Sequence, residues 1–428
     1  MLIEVRIENY RSIREERALT LEAANLGNED DKRPRSVKGH DAKLLPAAVI
    51  YGPNASGKSN LLLALGFIRS AVLDSQRGWE PDGGVPRPAF AWGDMRSKPS
   101  LFEVTFLKED VKYNYGFVVD DNEVLEEWLN AWPIGHKQKW FVREKNEFKF
   151  GENLKGPNHS AREITRNNAL FLSAAAQSNH SQLAPLYAWF RDLIPFRMKN
   201  ELSFYRRSMG GLNHLLFPGT EAPPLAPHEV GDSATLVTKI RQLLRSADIG
   251  ICDIKRTQHE FKTGDESYVR HRIMLQHQVG DDQSWLDLND ESDGTQTLFQ
   301  MAPSIFKALD TGGLLLIDEL ESSLHPLLGL AIVRLFNAPE TNPNNAQLIF
   351  TTHDTNLLGS TLGEPPLRRD QIWFIEKDKT GGSVLYPLTD YKPRQTENIE
   401  RGYLQGRYGA IPFLGDMSFL GKETNGKA

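Results

Sequence analysis

A single cysteine, Cys252, in 428 residues excludes an intramolecular disulfide framework and a thiolate-built zinc site. No apolar run approaches the roughly 18 residues that a membrane-spanning helix needs. The charge of Glu4 interrupts the opening stretch, so neither a membrane span nor a signal-peptide core is expected. A dominant charge is missing too. Fifty Lys and Arg stand against 56 Asp and Glu, a net −6, which argues against a nucleic-acid-coating protein and leaves a local basic patch open. Internal repeats and sustained heptads are also absent. What is present is ordinary: 39% hydrophobic residues and 34 glycines, enough for a sizeable core. At about 150 residues per domain the length allows two or three domains of a soluble, cytoplasmic protein.

Residues 2–9 alternate, with Ile3, Val5 and Ile7 on one face, and Leu19 and Leu21 resume the pattern, predicting a β-hairpin. Residues 28–43 form a charged loop, and Leu44 to Tyr51 reads as a buried strand. A Pro- and Gly-rich connection over 76–99 precedes an antiparallel meander over 101–150, with a hairpin turn at Asp120-Asp121-Asn122. Segments 183–195 and 234–246 read as helices, and 249–256 and 268–277 as strands. Buried strands at 314–317 and 348–350 flank a helix over 324–336 whose Pro326 sits near its start, where proline is tolerated. Late strands fall at 372–375 and 384–386. The elements converge from both ends of the chain on one α/β core with an added antiparallel layer.

Gly52-Pro-Asn54-Ala-Ser-Gly57-Lys58-Ser59 matches G-x-x-x-x-G-K-[ST] between a buried strand and a helix. Two glycines let successive backbone amides point at phosphate oxygens, and the following helix adds its positive dipole end. Lys58 supplies a cation for the β- and γ-phosphates, and Ser59 a hydroxyl for Mg²⁺. Far downstream, Gly313-Leu-Leu-Leu-Ile-Asp318-Glu319 delivers two carboxylates to the end of a buried strand. Asp318 suits Mg²⁺, and Glu319 suits polarising an attacking water. Adjacent Asp and Glu on the second strand, with a phosphate loop, is the ABC-type arrangement. Ser292-Asp-Gly294-Thr-Gln opens a helix 26 residues before Asp318 and resembles a degenerate ABC signature. Ser322-Ser-Leu-His-Pro326 resembles a D-loop, and Thr351-Thr-His353-Asp a switch histidine.

The opening Glu8-Asn-Tyr-Arg-Ser12, with Asn54 and Ser59-Asn60, resembles the ABC ATPase heads of the SMC, RecF and overcoming-lysogenization-defect groups. Tyr113-Asn-Tyr-Gly-Phe, Val124-Leu-Glu-Glu-Trp128, the stretch from Asp318 to Pro326 and the tail Gly402 to Pro412 are more closely similar to RloA/AbiLi-type AAA-family ATPases of bacterial phage-defence and abortive-infection systems. The resemblance implies a P-loop NTPase of ABC-head type, with a mixed core sheet, an antiparallel β layer and a helical insertion. It divides the single composite head into lobes 1–185 and 249–391, an insertion 186–248 and a tail 392–428. It implies ATP and Mg²⁺ held by Gly52, Asn54, Gly57, Lys58, Ser59, Asn60 and Asp318. Glu319 would be the catalytic base, His353 the γ-phosphate sensor, and Ser292 and Gly294 would act in trans. Arg11 reads either as a nucleotide contact or as a surface-turn arginine. Gln177 reads either as the metal-side Q-loop residue or as a polar cap on a strand.

Long coiled coils are absent from the interval between Ser59 and Ser292, and the 75 residues after His353 lack the clustered carboxylates of a metal nuclease. The expectation is an ATPase that pairs head to head, or in a higher homo-oligomer, and regulates a separate, nuclease-like effector encoded nearby. Nucleic acid is left open as a partner and no membrane is expected. The alternative is a RecF-like DNA-binding repair ATPase using Lys32, Arg33, Arg35 and Lys38, Arg206-Arg207 or Arg368-Arg369. Tyr403, Arg407, Tyr408 and Phe413 read either as a docking surface or as an ordered tail packed on its own domain. His271 and His277 are expected to face solvent.

Overall fold

The computed structural model describes residues 1–28, 30–196, 198, 233–247, 250–263, 266–279, 282–394 and 396–412. Strand β3 (Ala47–Tyr51) is buried throughout because both of its faces are covered. Ala48 and Ile50 enter one hydrophobic core, and Ala47, Val49 and Tyr51 another. The same period-two division runs through β13 (Leu314–Ile317) and β14 (Gln347–Thr351). These strands belong to a six-stranded sheet of order β16-β15-β3-β14-β13-β9, completed by β9 (Leu193–Phe196), β15 (Ile372–Lys377) and β16 (Ser383–Pro387). All its pairings are parallel except β15–β16.

The first core lies between this sheet and a seven-stranded antiparallel layer. Its strands are β1 (Leu2–Glu8), β2 (Arg17–Thr20), β4 (Ser100–Lys108), β5 (Val111–Val119), β6 (Val124–Trp132), β7 (Gln138–Glu144) and β8 (Glu147–Phe150), in the order β2-β1-β4-β5-β6-β7-β8. Helix α1 (Lys58–Asp74) contributes Leu61, Leu62, Leu65, Ile68 and Val72 to this core. Helices α2 (Asn158–Ile164), α3 (Phe171–Gln177) and α4 (Ala184–Arg191) close its rim. The second core packs the other sheet face on α5 (Ser233–Ala247), α6 (Asp293–Thr311), α7 (Pro326–Asn337) and α8 (Ile399–Leu404). It also takes in Ile254, Ile273 and Leu275 from a separate sheet of β10 (Ile251–Thr263), β11 (Glu266–Val279) and β12 (Asp282–Asp287). The mixed α/β core sheet and the added antiparallel layer are as expected, while most of the expected insertion lies outside the described residues.

Two expectations change, one element is new, and one open alternative is decided. The helix expected over 183–195 stops at Arg191, and Leu-Ile-Pro-Phe pairs with β13 as the edge strand of the main sheet. An edge tolerates Pro195, so residues 193–196 extend the main sheet. The segment before Gln177 is a helix, not a strand. Its first amides, Phe171 and Leu172, donate to the buried Glu127 carboxylate at 2.6 and 3.0 Å. β12 had no strong periodicity and was not expected. In the tail, Tyr403 and Tyr408 are buried, each ring within 6 Å of Phe374, so they hold the tail to its own domain. Exposed Arg407 pairs with Glu397. Phe413, Arg206 and Arg207 lie outside the described residues.

The basic clusters are largely neutralised from within. Arg33 and Arg368 share Asp31 at 2.7 and 3.2 Å, Arg368 also binds Asp370 at 2.8 Å, and Lys38 meets Asp110 at 3.0 Å. Arg35 donates to the Asn337 carbonyl at 2.9 Å.

The antiparallel layer hides an ion pair. Arg143 and Glu127 are both buried, 3.5 Å apart, and Tyr115 donates to Glu127 at 2.9 Å. Burial pushes the Glu127 carboxyl up, and Arg143 and the two amides oppose that shift. Removing the cation strands a buried acid. Arg143→Met should therefore lower the unfolding free energy by about 3–5 kcal/mol in urea titration.

Candidate active site

Helix α1 begins at Lys58 with no side-chain cap and no acidic residue in its first turn. Its leading amides are thus directed at the loop that precedes it, an anion-binding arrangement. The loop is shaped by steric necessity. Gly57 has φ +110°, and a Cβ there would collide with the Ser383 and Ser12 hydroxyls. A Cβ on Gly52 would run into the Ile375 carbonyl. Ser383 Oγ lies 2.6 Å from the Ser56 carbonyl and 2.7 Å from Ser12 Oγ, which also accepts from Asn60 Nδ2 at 2.7 Å. Strand β16, the β1–β2 turn and α1 therefore clamp the loop together. Asn54 is exposed on it. Lys58 Nζ donates to the Gly52 and Pro53 carbonyls at 2.8 and 3.1 Å, tethered at the mouth of the cradle.

Parallel pairing of β3, β14 and β13 brings their carboxyl ends to the same edge. Asp318 follows β13, is 3% exposed, and accepts from Ser59 Oγ at 3.0 Å and Thr351 Oγ1 at 2.7 Å. The Thr351 hydroxyl in turn accepts from the Glu319 amide at 2.8 Å. Glu319 sits at φ +54°, turning the chain sharply off the strand. One strand over, the His353 amide donates to Glu321 at 2.6 Å, and the Tyr51 hydroxyl donates to the Asp354 carbonyl at 2.7 Å. Ser59 and Asp318, 259 residues apart in sequence, thus form one oxygen-rich cluster beside an open helix end.

Ser292 caps α6, accepting from the Thr295 amide at 3.1 Å. A Cβ on Gly294 would stand 2.8 Å from the Ser323 carbonyl, so the Ser292–Gly294 turn abuts the Ser322–Pro326 stretch of its own chain. Arg11 has φ +51° and its guanidinium lies 5.7 Å from the Tyr10 ring centroid, one residue from Ser12. Gln177 is exposed at the end of α3. His277 does not simply face solvent. Its Nε2 lies 2.6 Å from Glu291, the residue before Ser292, while the His271 side chain lies outside the described set. Sequence reasoning missed Thr351 as the link between the two acidic residues, and it missed Ser383. Ser12 fell in a quoted motif, whereas Ser383 carries no local signal.

A family profile described as "AAA domain, putative AbiEii toxin, Type IV TA system" matches residues 47–359. The chain belongs to this family. That span reaches from the first residue of β3 past His353, and the resemblance drawn from the motifs is borne out at family level. The Septu protein PtuA of Bacillus mycoides (strain KBAB4) is 30% identical over 144 residues, covering 31% of this chain and 19% of that protein. Diphosphoinositol polyphosphate phosphohydrolase 2 of Mus musculus is 28% identical over 116 residues, covering 23% of this chain and 65% of that one. The chain therefore spans about a fifth of the first relative's length and just under two thirds of the second's. Among solved structures, the SMC head domain from Thermotoga maritima aligns over 90% of this chain and 98% of its own, at 11% identity and a TM-score of 0.39. Among the described residues no helix is long and apolar enough to cross a membrane.

The His353 imidazole is held below its ordinary value of 6.5, by burial first and then by the Lys58 charge. A depressed histidine loses its proton earlier as pH rises, so the neutral ring prevails at pH 7. Proton-detected titration should place the His353 midpoint below 6.5, and Lys58→Met should move it upward.

Proposed function

We propose that this protein binds ATP with Mg²⁺ in the Gly52–Ser59 loop, hydrolyses it, and closes head to head on a second copy to regulate a separate effector in anti-phage defence. The observation that carries the reading is the meeting of Ser59, Asp318 and Thr351 beside the uncapped start of α1. The donor set, a hydroxyl and a carboxylate, fits a small hard cation that keeps water and phosphate oxygens as its other ligands. Bound there by Ser59 and Asp318, magnesium would neutralise charge on the β- and γ-phosphates.

The chain's own residues do the rest. The backbone amides from Gly57 onward bind the phosphates. Lys58 exchanges two loop carbonyls for phosphate oxygens. Glu319, at φ +54° where the chain leaves the buried strand, accepts the proton of the attacking water. Neutral His353 contacts the γ-phosphate. Asn54, Asn60 and Arg11 line the nucleotide, and Gln177 serves as the metal-side glutamine. Ser292 and Gly294 complete the site of the other copy, because each chain carries both half-sites. Self-neutralised basic clusters favour a protein partner over bare DNA.

Glu319→Gln should retain ATP binding and lose about a hundredfold or more in turnover. It should also elute as a dimer in saturating MgATP. Shifting such a pair from about 1% to 99% closed takes about 5.5 kcal/mol of differential affinity, within reach of a triphosphate. Monomeric elution of that variant overturns the closure step. Capture of the same variant from its host with ATP tests the effector: a nuclease-like polypeptide supports regulation, and DNA alone supports the RecF-like reading.

A further inference from the structure

We infer that Trp92 is the platform on which the nucleotide's purine base stacks, so that this chain recognises the base as well as the phosphates. The proposal rests on the reading of the Gly52–Ser59 loop as a triphosphate site.

Tryptophan is usually well buried. Trp92 is 59% exposed, although its neighbour Phe90 is buried. This exposure is built. The fully buried Asn9 side chain accepts from the Phe90 amide at 3.0 Å and donates to the Met95 and Lys98 carbonyls at 2.7 and 2.8 Å. It thereby pins both ends of the short loop that carries Trp92. Phe90 meets the indole edge-on, with centroids 5.2 Å apart and planes at 86°. The ring rests on Gly381, in the β15–β16 turn, where a Cβ would stand 2.7 Å from it. That turn is itself fixed: Asp378 accepts from the Thr380 and Gly382 amides at 2.8 and 2.9 Å, and Lys377 donates to the Gly381 carbonyl at 2.8 Å.

The same hairpin reaches the phosphate cradle. Ser383, two residues beyond Gly381, touches the Ser56 carbonyl and fills the space a Cβ on Gly57 would need. Two residues span at most about 7 Å. The exposed indole therefore packs against the same hairpin that clamps the phosphate loop, and its point of contact, Gly381, lies two residues from the clamping Ser383. Aromatic stacking on a base is favourable for any base and strong for the larger purines.

The test measures binding of MgATP and of magnesium tripolyphosphate, which has no base, by calorimetry on the full chain. Trp92→Ala should weaken MgATP about tenfold and leave tripolyphosphate within about twofold, in line with the usual worth of base–aromatic stacking. Trp92→Phe should recover most of the loss. Unchanged ATP affinity in Trp92→Ala, while Lys58→Ala abolishes binding, overturns the stacking role alone. Equal weakening of both ligands in Trp92→Ala also overturns it, by making the residue a support of the loop. Unchanged ATP and tripolyphosphate affinity in Lys58→Ala instead overturns the phosphate-loop reading itself.

Discussion

The carboxylate of Asp318 is the point on which the two halves of the fold depend. It is almost fully buried, and a buried charge is tolerated only when hydrogen bonds compensate its desolvation. Here both compensating donors are hydroxyls from other elements, Ser59 from α1 and Thr351 from β14. One oxygen atom thus binds the Gly52–Ser59 half of the chain to the half that carries Asp318, Glu319 and His353. Thr351 extends the link to the Glu319 backbone, so the turn that presents the second carboxylate is set by the same contact.

The two-faced sheet makes that contact possible. Because β3, β13 and β14 divide their side chains between two cores, neither face is free to shift without disturbing the other. Their carboxyl ends are correspondingly fixed, and the functional groups stand where three parallel strands stop together. The antiparallel layer does not supply these groups. It buries α1 from behind, and through the Tyr10 hydroxyl on the Leu63 carbonyl, 3.2 Å away, it ties the β1–β2 turn to that helix.

Much of this was legible in the residues. Gly52 and Gly57 were readable because a phosphate cradle needs residues without a Cβ, and each proves to be hemmed in by a carbonyl or hydroxyls. The run from Leu314 to Asp318 was readable because four apolar residues before an acid leave few alternatives to a buried strand ending in a site. Leu193–Phe196 was not, since an apolar tetrapeptide after an amphipathic helix continues the helical pattern, and only pairing with β13 decides otherwise. The helix before Gln177 was hidden for a related reason: its cap comes from Glu127, more than 40 residues away. Ser383 was invisible because its partners, Ser12 and Ser56, meet it only across the fold. The tail residues Tyr403 and Tyr408 had the composition of an interface, and the interface they make is with Phe374 of their own sheet.

The contact between Gly294 and the Ser323 carbonyl bears on how two sites would keep time. If two copies pair as proposed, the Ser292–Gly294 turn of one would serve the nucleotide held by the other, while its Ser322–Pro326 stretch follows closely on its own Glu319. Those two segments abut within each chain at a position where only a hydrogen fits. A shift of either one is passed to the other without slack. Under the proposed pairing, two pockets joined in this way would be coupled, each responding to the other's occupancy.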